Sequence, residues 1–333
     1  MIRVTALTGS KHDPSSRFRI RQCIQPLREF GIEVSEHWPL ISRYKIEPLP
    51  WLVAALRVPG LVASRFSNVT WLGRELLSGR FSLERLAGTK RVFDVDDAIW
   101  QPYQSDFSAE IVEQCDGVIA GNRFLADHYE KLGKKVWLVP TSVDTDVWKP
   151  ADRKRDGKWI MGWTGTWANL EFLYGIEEPL ADFLTQHPDS SLLVLCDRQP
   201  TFKSLPSDRW EFARWSIDSE VSLGQRMDVG LMPLKDSELS RGKCGFKMLA
   251  YMALGLPVVV SPVGVNQEIL ARGQIGFPAR STNDWFEALQ RLYHDAELSN
   301  RMGQTGRQVV EQYYSVRTNV AKLAEIFHQV AEC

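Results

Sequence analysis

The chain has 333 residues, 44% hydrophobic and 24% charged, which suits two globular domains and excludes a disordered or repetitive protein. Its net charge of −1 hides an asymmetry, because residues 1–91 hold 15 Lys and Arg against 7 Asp and Glu, leaving 25 against 34 for the remainder. Five widely spaced cysteines (Cys23, Cys115, Cys196, Cys244, Cys333) form no CxxC or Cys/His ligand pattern, which argues against a disulfide framework or a structural zinc site and fits a reducing, cytoplasmic setting.

Residues 2–7 read as a first strand rather than a signal peptide, since the short start runs straight into a glycine turn. The loop GSKHDPSSRFRIRQ (9–22) presents Arg17, Arg19 and Arg21 at the start of a helix over 18–30 that Gly31 closes, and residues 32–38 form a second strand. LPWLVAALRVPGLVASRF (49–66) is the longest apolar stretch. Arg57 and Pro59 interrupt it, so it is too short to span a bilayer and predicts a packed helix pair bent at Pro59-Gly60, with interfacial membrane contact as the other reading. Strands follow at 91–95, 117–120 and 135–139, with a helix over 123–132 stopped by Gly133. The β-α-β alternation implies a parallel sheet with helices on both faces.

A polar linker, KPADRKRDGK (149–158), precedes a restart of the pattern. Strands are expected at 159–163, 191–196, 210–215, 229–232 and 257–261, a helix over 246–254 stopped by Gly255, and a helical tail over 281–330. The expected architecture is α/β: two doubly wound, Rossmann-like domains over 1–150 and 151–315, facing across a cleft, with ligands beyond the C-terminal strand ends.

The segment RGKCGFKMLAYMALGLPVVVSPVGVNQEI (241–269) sets Arg241, Lys243 and Lys247 around two glycines at a predicted helix start. Backbone N–H groups there, with adjacent cations, form an anion site suited to the diphosphate that leaves as a sugar departs. A solvated basic helix start is the plain alternative. The turn SPVGVN brings Gly264, Val265 and Asn266 close to a ligand, and GWTGTWAN offers Thr164, Gly165 and Thr166 as further donors. Neither turn has the spacing of a P-loop or a dinucleotide fingerprint. In the first half, FDVDDAIW puts Asp94, Asp96 and Asp97 at a strand end, open to three readings: a metal site, an acid/base or sugar-hydroxyl contact, or a helix cap. Ser16, Arg17 and Arg19 are candidates for an anionic acceptor, with a solvated face as the alternative.

These motifs resemble family 4 glycosyltransferases (glycosyl transferases group 1) of the GT-B fold over nearly the whole chain. The likeness is strongest in YMALGLPVVVSPVGVNQEI, in VPTSVDTDVWKP (139–150) and in LSNRMGQTGRQVVEQYYS. The resemblance implies a glycosyltransferase with retention of configuration, no metal and no cofactor beyond a UDP- or GDP-linked donor sugar. It implies diphosphate contacts from Lys247 and from Gly264 to Asn266, sugar contacts from Asp96 at a usual histidine position and Asp97 at the aspartate, and a last helix (316–333) crossing back onto the first domain. The two glutamates common in the family fall at Gly242 and Ala250, and the usual Arg-and-Lys pair is replaced by GWTGTWAN. The expected acceptor is a glycan, glycolipid or lipid-linked molecule, with peripheral contact at the inner membrane face through the basic first third and no nucleic-acid partner. A nucleotide-sugar epimerase or hydrolase, or a degenerate binding scaffold, are the competing readings.

Overall fold

The computed structural model describes residues 1–39, 50–88, 90–103, 105–151 and 157–332. Leu49 at the start of the long apolar stretch, residues 152–156 of the linker and Cys333 therefore lie outside the described residues. The first elements are β1 (Ile2–Leu7), α1 (Gln22–Leu27), β2 (Ile32–His37), α2 (Pro50–Ser64), β3 (Val69–Gly73), β4 (Arg91–Val95), α3 (Phe107–Glu113), β5 (Gly117–Ala120), α4 (Arg123–Glu130) and β6 (Val136–Leu138). Then come β7 (Trp159–Gly165), α5 (Leu170–Tyr174), α6 (Glu177–Gln186), β8 (Ser190–Cys196), β9 (Trp210–Arg214), α7 (Glu220–Gly224), β10 (Val229–Met232), α8 (Glu238–Gly242), α9 (Phe246–Ala253) and β11 (Val258–Val260). The chain ends with α10 (Val265–Leu270), β12 (Gly276–Pro278), α11 (Thr282–His294), α12 (Ala296–Val309) and α13 (Val316–Glu332).

Two compact units result. Met1–Ser142, Ser237–Cys244 and Tyr314–Cys333 form the first; Val143–Asp236 and Gly245–Tyr313 form the second. Each is built on a six-stranded parallel sheet, ordered β2-β1-β3-β4-β5-β6 and β12-β11-β10-β7-β8-β9. Near-continuous apolar strands explain the parallel sheets: β3, β4, β5, β10 and β11 are buried almost throughout, as strands covered on both faces must be. In the first unit α13 lies over β1 and β3, where Phe327 meets Trp71 edge-on with ring centroids 4.9 Å apart.

The predicted glycine stops hold positive φ: Gly31 at 71°, Gly133 at 72° and Gly255 at 74°. Two expectations are corrected. The apolar stretch forms one helix, α2, with Pro59 inside it rather than a bent pair. Gly60 explains the close fit, because a Cβ there would lie 2.8 Å from Leu7 Cδ2 and 2.9 Å from His37 Cβ. The second correction concerns Ser237–Cys244, read from sequence as part of the second domain; it packs with the first unit. Its fastening is Asn122, whose side-chain oxygen caps α4 by accepting from the Leu125 amide at 2.9 Å. The Asn122 amide nitrogen donates to three carbonyls at the end of α8, on Arg241 (3.2 Å), Gly242 (2.9 Å) and Lys243 (3.0 Å).

Candidate functional site

In a doubly wound sheet, ligands sit where strand order reverses, beyond the C-terminal strand ends. That point lies between β1 and β3 in the first unit and between β7 and β10 in the second.

In the first unit, the loop after β1 folds back on itself. Ser16 is buried and donates to Asp13 Oδ2 at 2.8 Å while accepting from the Gly9 amide at 3.1 Å. A π-helical turn over Ser16–Arg21 then points Arg19 inward. Arg19 donates through Nε to Asp94 Oδ1 at 2.8 Å and through Nη1 to the Val139 carbonyl at 2.6 Å, and Trp71 Nε1 donates to Asp94 Oδ2 at 3.0 Å. Ser16 and Arg19, expected to meet an acceptor, therefore serve the interior of the unit, whereas Arg17 is half-buried against Phe18.

The acidic strand end separates accordingly. Asp94 is committed to Arg19 and Trp71. Asp96 accepts from Ser15 Oγ at 2.9 Å, and Asp97 accepts from the Ala98 amide at 3.1 Å. Burial raises the Asp96 pKa above the usual carboxylate range, against the pull of Arg74 and Arg19. Among the described residues no group of three His, Cys, Asp or Glu side chains is placed to hold a metal ion. Arg74, which the sequence reading did not single out, stands at the end of β3 and donates from Nη1 to Ser15 Oγ at 3.4 Å.

In the second unit, β7 ends at Gly165 and the chain turns at Thr166. Lys247, the second residue of α9, reaches back to this strand end: its Nζ lies 5.1 Å from the centroid of the Trp163 ring, and a Cβ on Gly165 would come within 3.1 Å of it. One helical turn on, buried Tyr251 accepts from the Thr164 amide at 2.8 Å through its phenol oxygen. Its ring occupies the space left by Gly230, where a Cβ would approach Tyr251 Cγ to 2.2 Å. Tyr251 is a further residue that sequence reasoning missed; its helical spacing from Lys247 was the available signal.

The start of α9 is Gly245 at φ 70°, and α10 starts at Gly264 at φ 54°; neither helix has a side-chain cap on its first amides. The two starts are neighbours, since a Cβ on Gly245 would lie 3.0 Å from Val265 Cγ1 and 3.5 Å from Asn266 Oδ1. Asn266 is buried. Its amide nitrogen donates to the Ser261 carbonyl at 3.1 Å, and its Oδ1 accepts no hydrogen bond. Uncapped amides beside a lysine are electropositive and favour an anion.

Several expected donor groups change role. The Thr164 amide is taken by Tyr251. Thr166 accepts from Asn169 Nδ2 at 2.8 Å through its hydroxyl, and the Trp167 amide donates to Asp197 Oδ1 at 2.7 Å. Gly165 remains beside Lys247. Arg241 and Lys243 do not share the helix start with Lys247: they end α8, and Gly245 in the left-handed region breaks the chain direction before α9. Arg241 is exposed and Lys243 half-buried.

The structure also accounts for the missing glutamates. A Cβ at Gly242 would lie 2.6 Å from both the amide nitrogen and Cβ of Ala98, and Ala250 is buried inside α9. Gly242 therefore has no room for a carboxylate, and at Ala250 a carboxylate would start from a buried position.

Two parallel six-stranded sheets with these switch points define a GT-B fold, the class of the GT-B glycosyltransferases. Residues 167–295 match the family "Glycosyl transferases group 1". None of the curated proteins compared matches the chain. Among solved structures it is similar to sucrose-phosphate synthase from Thermosynechococcus elongatus, at TM-score 0.76 and 16% identity over 99% of each chain. It is also similar to Anabaena HepE in complex with UDP and glucose, at TM-score 0.73 and 13% identity over 98% of this chain and 100% of that one. A third is WaaG, a glycosyltransferase involved in lipopolysaccharide biosynthesis, at TM-score 0.71 and 13% identity over 97% and 99%.

Proposed function

We propose that the chain transfers a sugar from a UDP- or GDP-linked donor to a glycan, glycolipid or lipid-linked acceptor, with retention and without a metal ion. The observation that carries this reading is the placement of Lys247 Nζ over the end of β7, beside the uncapped start of α9. A lysine and convergent amides are suited to the charge that develops on a departing diphosphate. Gly264 to Asn266 complete that group, and the unpartnered Asn266 Oδ1 offers an acceptor to a ligand hydroxyl. Asp96 and Asp97 are assigned to the transferred sugar, with Asp96 as a carboxylate accepting from a hydroxyl. The UDP held by HepE supports a uridine donor in particular.

Thermal shift with UDP, GDP, ADP and dTDP tests the reading. A nucleotide at 100 times its Kd stabilises by ~2.7 kcal/mol, and the expected result is a selective shift that survives excess EDTA. No shift with any of the four contradicts it.

A lipid-linked acceptor also accords with one surface of the first unit. Among the described residues no helix is long and apolar enough to cross a membrane. Yet Val62 and Phe66 are exposed, and Leu86, also exposed, accepts from Arg65 Nε at 3.1 Å with Arg85 adjacent in the chain. Apolar side chains among arginines fit peripheral contact with an anionic lipid surface. Co-sedimentation with phosphatidylglycerol vesicles but not phosphatidylcholine vesicles is the expected result, and no sedimentation with either removes this part of the proposal.

A further inference from the structure

Arg74 is the one described residue other than glycine with a positive φ, at 63°. A side chain in the left-handed region is strained, and arginine has no local hydrogen bond that compensates as Asn or Asp does. Strain of this kind persists where the surrounding structure over-determines it, often at functional sites. Here the backbone is fixed from both sides. The Arg74 amide donates to the Asp94 carbonyl at 3.0 Å, and the preceding Gly73 is packed so tightly that a Cβ would meet Ile20 Cδ1 at 2.6 Å. The turn directs the guanidinium, only 14% exposed, to Ser15 Oγ, and that hydroxyl in turn donates to Asp96 Oδ1 at 2.9 Å.

Glycine would adopt this φ without strain, so the arginine is there for its side chain. Resting on the assignment of Asp96 to the transferred sugar, we infer that Arg74 is a positioning residue that orients Asp96 through Ser15 and sets a positive charge beside it. The charged surroundings of Asp96 give Arg74 this weight. Arg19 also attracts it, from the helical turn after β1, but Arg19 is already engaged by Asp94. Asp94 and Asp97 repel it from its own strand end, and the buried Cys244 thiol, from the segment after α8, is neutral because burial raises its pKa. Arg74 also lies near a carboxylate, with its Nε 3.7 Å from the buried Glu75, but it is the cation linked to Asp96 through the Ser15 hydroxyl.

The test follows the Asp96 carboxyl directly, by carbon NMR of protein labelled with ¹³C-aspartate, the signal assigned by its loss in Asp96→Asn. Arg74→Gly and Arg74→Asn both tolerate the left-handed backbone and remove the charge; Arg74→Lys keeps it. The expected result is an Asp96 titration midpoint raised by about 1 pH unit or more in the Gly and Asn variants and returned towards wild type in the Lys variant. Their Tm is expected within about 3 °C of wild type, because lost contacts are offset by relieved strain. An Asp96 midpoint unmoved in both Arg74→Gly and Arg74→Asn overturns the inference. The sugar assignment is judged separately: wild-type turnover of UDP-glucose and GDP-mannose, or wild-type nucleotide-sugar affinity where neither is turned over, in Asp96→Asn overturns that assignment while leaving the Arg74 titration result standing.

Discussion

The phenol oxygen of Tyr251 accepts the amide of Thr164 at 2.8 Å, so the turn that follows β7 is held by the same helix that supplies Lys247. One helix thereby sets both the cation and the backbone it faces. Tyr251→Phe removes this acceptor from the part-buried Thr164 N–H, a loss of about 1 kcal/mol. The expected outcome is a lower Tm together with a several-fold weaker UDP affinity by calorimetry. Unchanged stability and affinity would show that the turn does not depend on this bond.

Asn122 joins α8 to the first unit through three carbonyls while capping α4. Asn122→Ala removes both functions. Loss of the cap alone costs about 1 kcal/mol, and the bonds to α8 add to it. Limited proteolysis is expected to cut the variant within Ser237–Cys244 where wild type resists. Equal resistance would mean that other contacts hold the segment.

Restoring the family's usual carboxylate at 242 is expected to harm the protein. Gly242→Glu forces a Cβ to within 2.6 Å of Ala98, and overpacking of this kind costs about 1–3 kcal/mol or more. A Tm several degrees below wild type, without gain in nucleotide affinity, is the prediction; tighter binding at wild-type stability would contradict the packing argument.

Asp96 carries a pH signature of its own. Its folded-state pKa is raised by burial, so the fold favours the protonated form. The stability that protonation contributes is present at low pH and is lost as pH rises through the folded-state value. Asp96→Asn, a neutral mimic of the protonated acid, is therefore expected to match or exceed wild-type Tm at pH 8, with the difference closing towards pH 4. Transfer depends on the carboxylate, so its acid limb should lie above the ~3.9 of an ordinary aspartate. A variant less stable than wild type at pH 8 would reverse this account.

Much of the fold was legible in the residues because local rules and global architecture agree. β10 was placed over Val229 to Met232 and β11 around its run of valines, since strands buried on both faces read as uninterrupted apolar segments. Gly31, Gly133 and Gly255 marked helix ends through the one conformation that favours them. β3 was not found: five residues closing on Gly73 and Arg74 leave too short a pattern to separate from the apolar stretch before it. At the site, Lys247 was legible as a cation entering an apolar helix. The separation of Arg241 and Lys243 from it was not, because the left-handed turn at Gly245 and the capture of α8 by Asn122 depend on residues far away in the chain. Arg74 gave no signal at all, since its meaning lies in a backbone angle.

The central claim is that Lys247 and the start of α9 hold the donor diphosphate. Calorimetric titration of UDP and GDP into wild type and Lys247→Ala tests it most directly. The prediction is that the preferred nucleotide binds wild type and loses at least about tenfold in Kd in the variant, equivalent to ~1.4 kcal/mol, with the fold intact by circular dichroism. Equal affinity in the two proteins would place the diphosphate elsewhere and contradict the account.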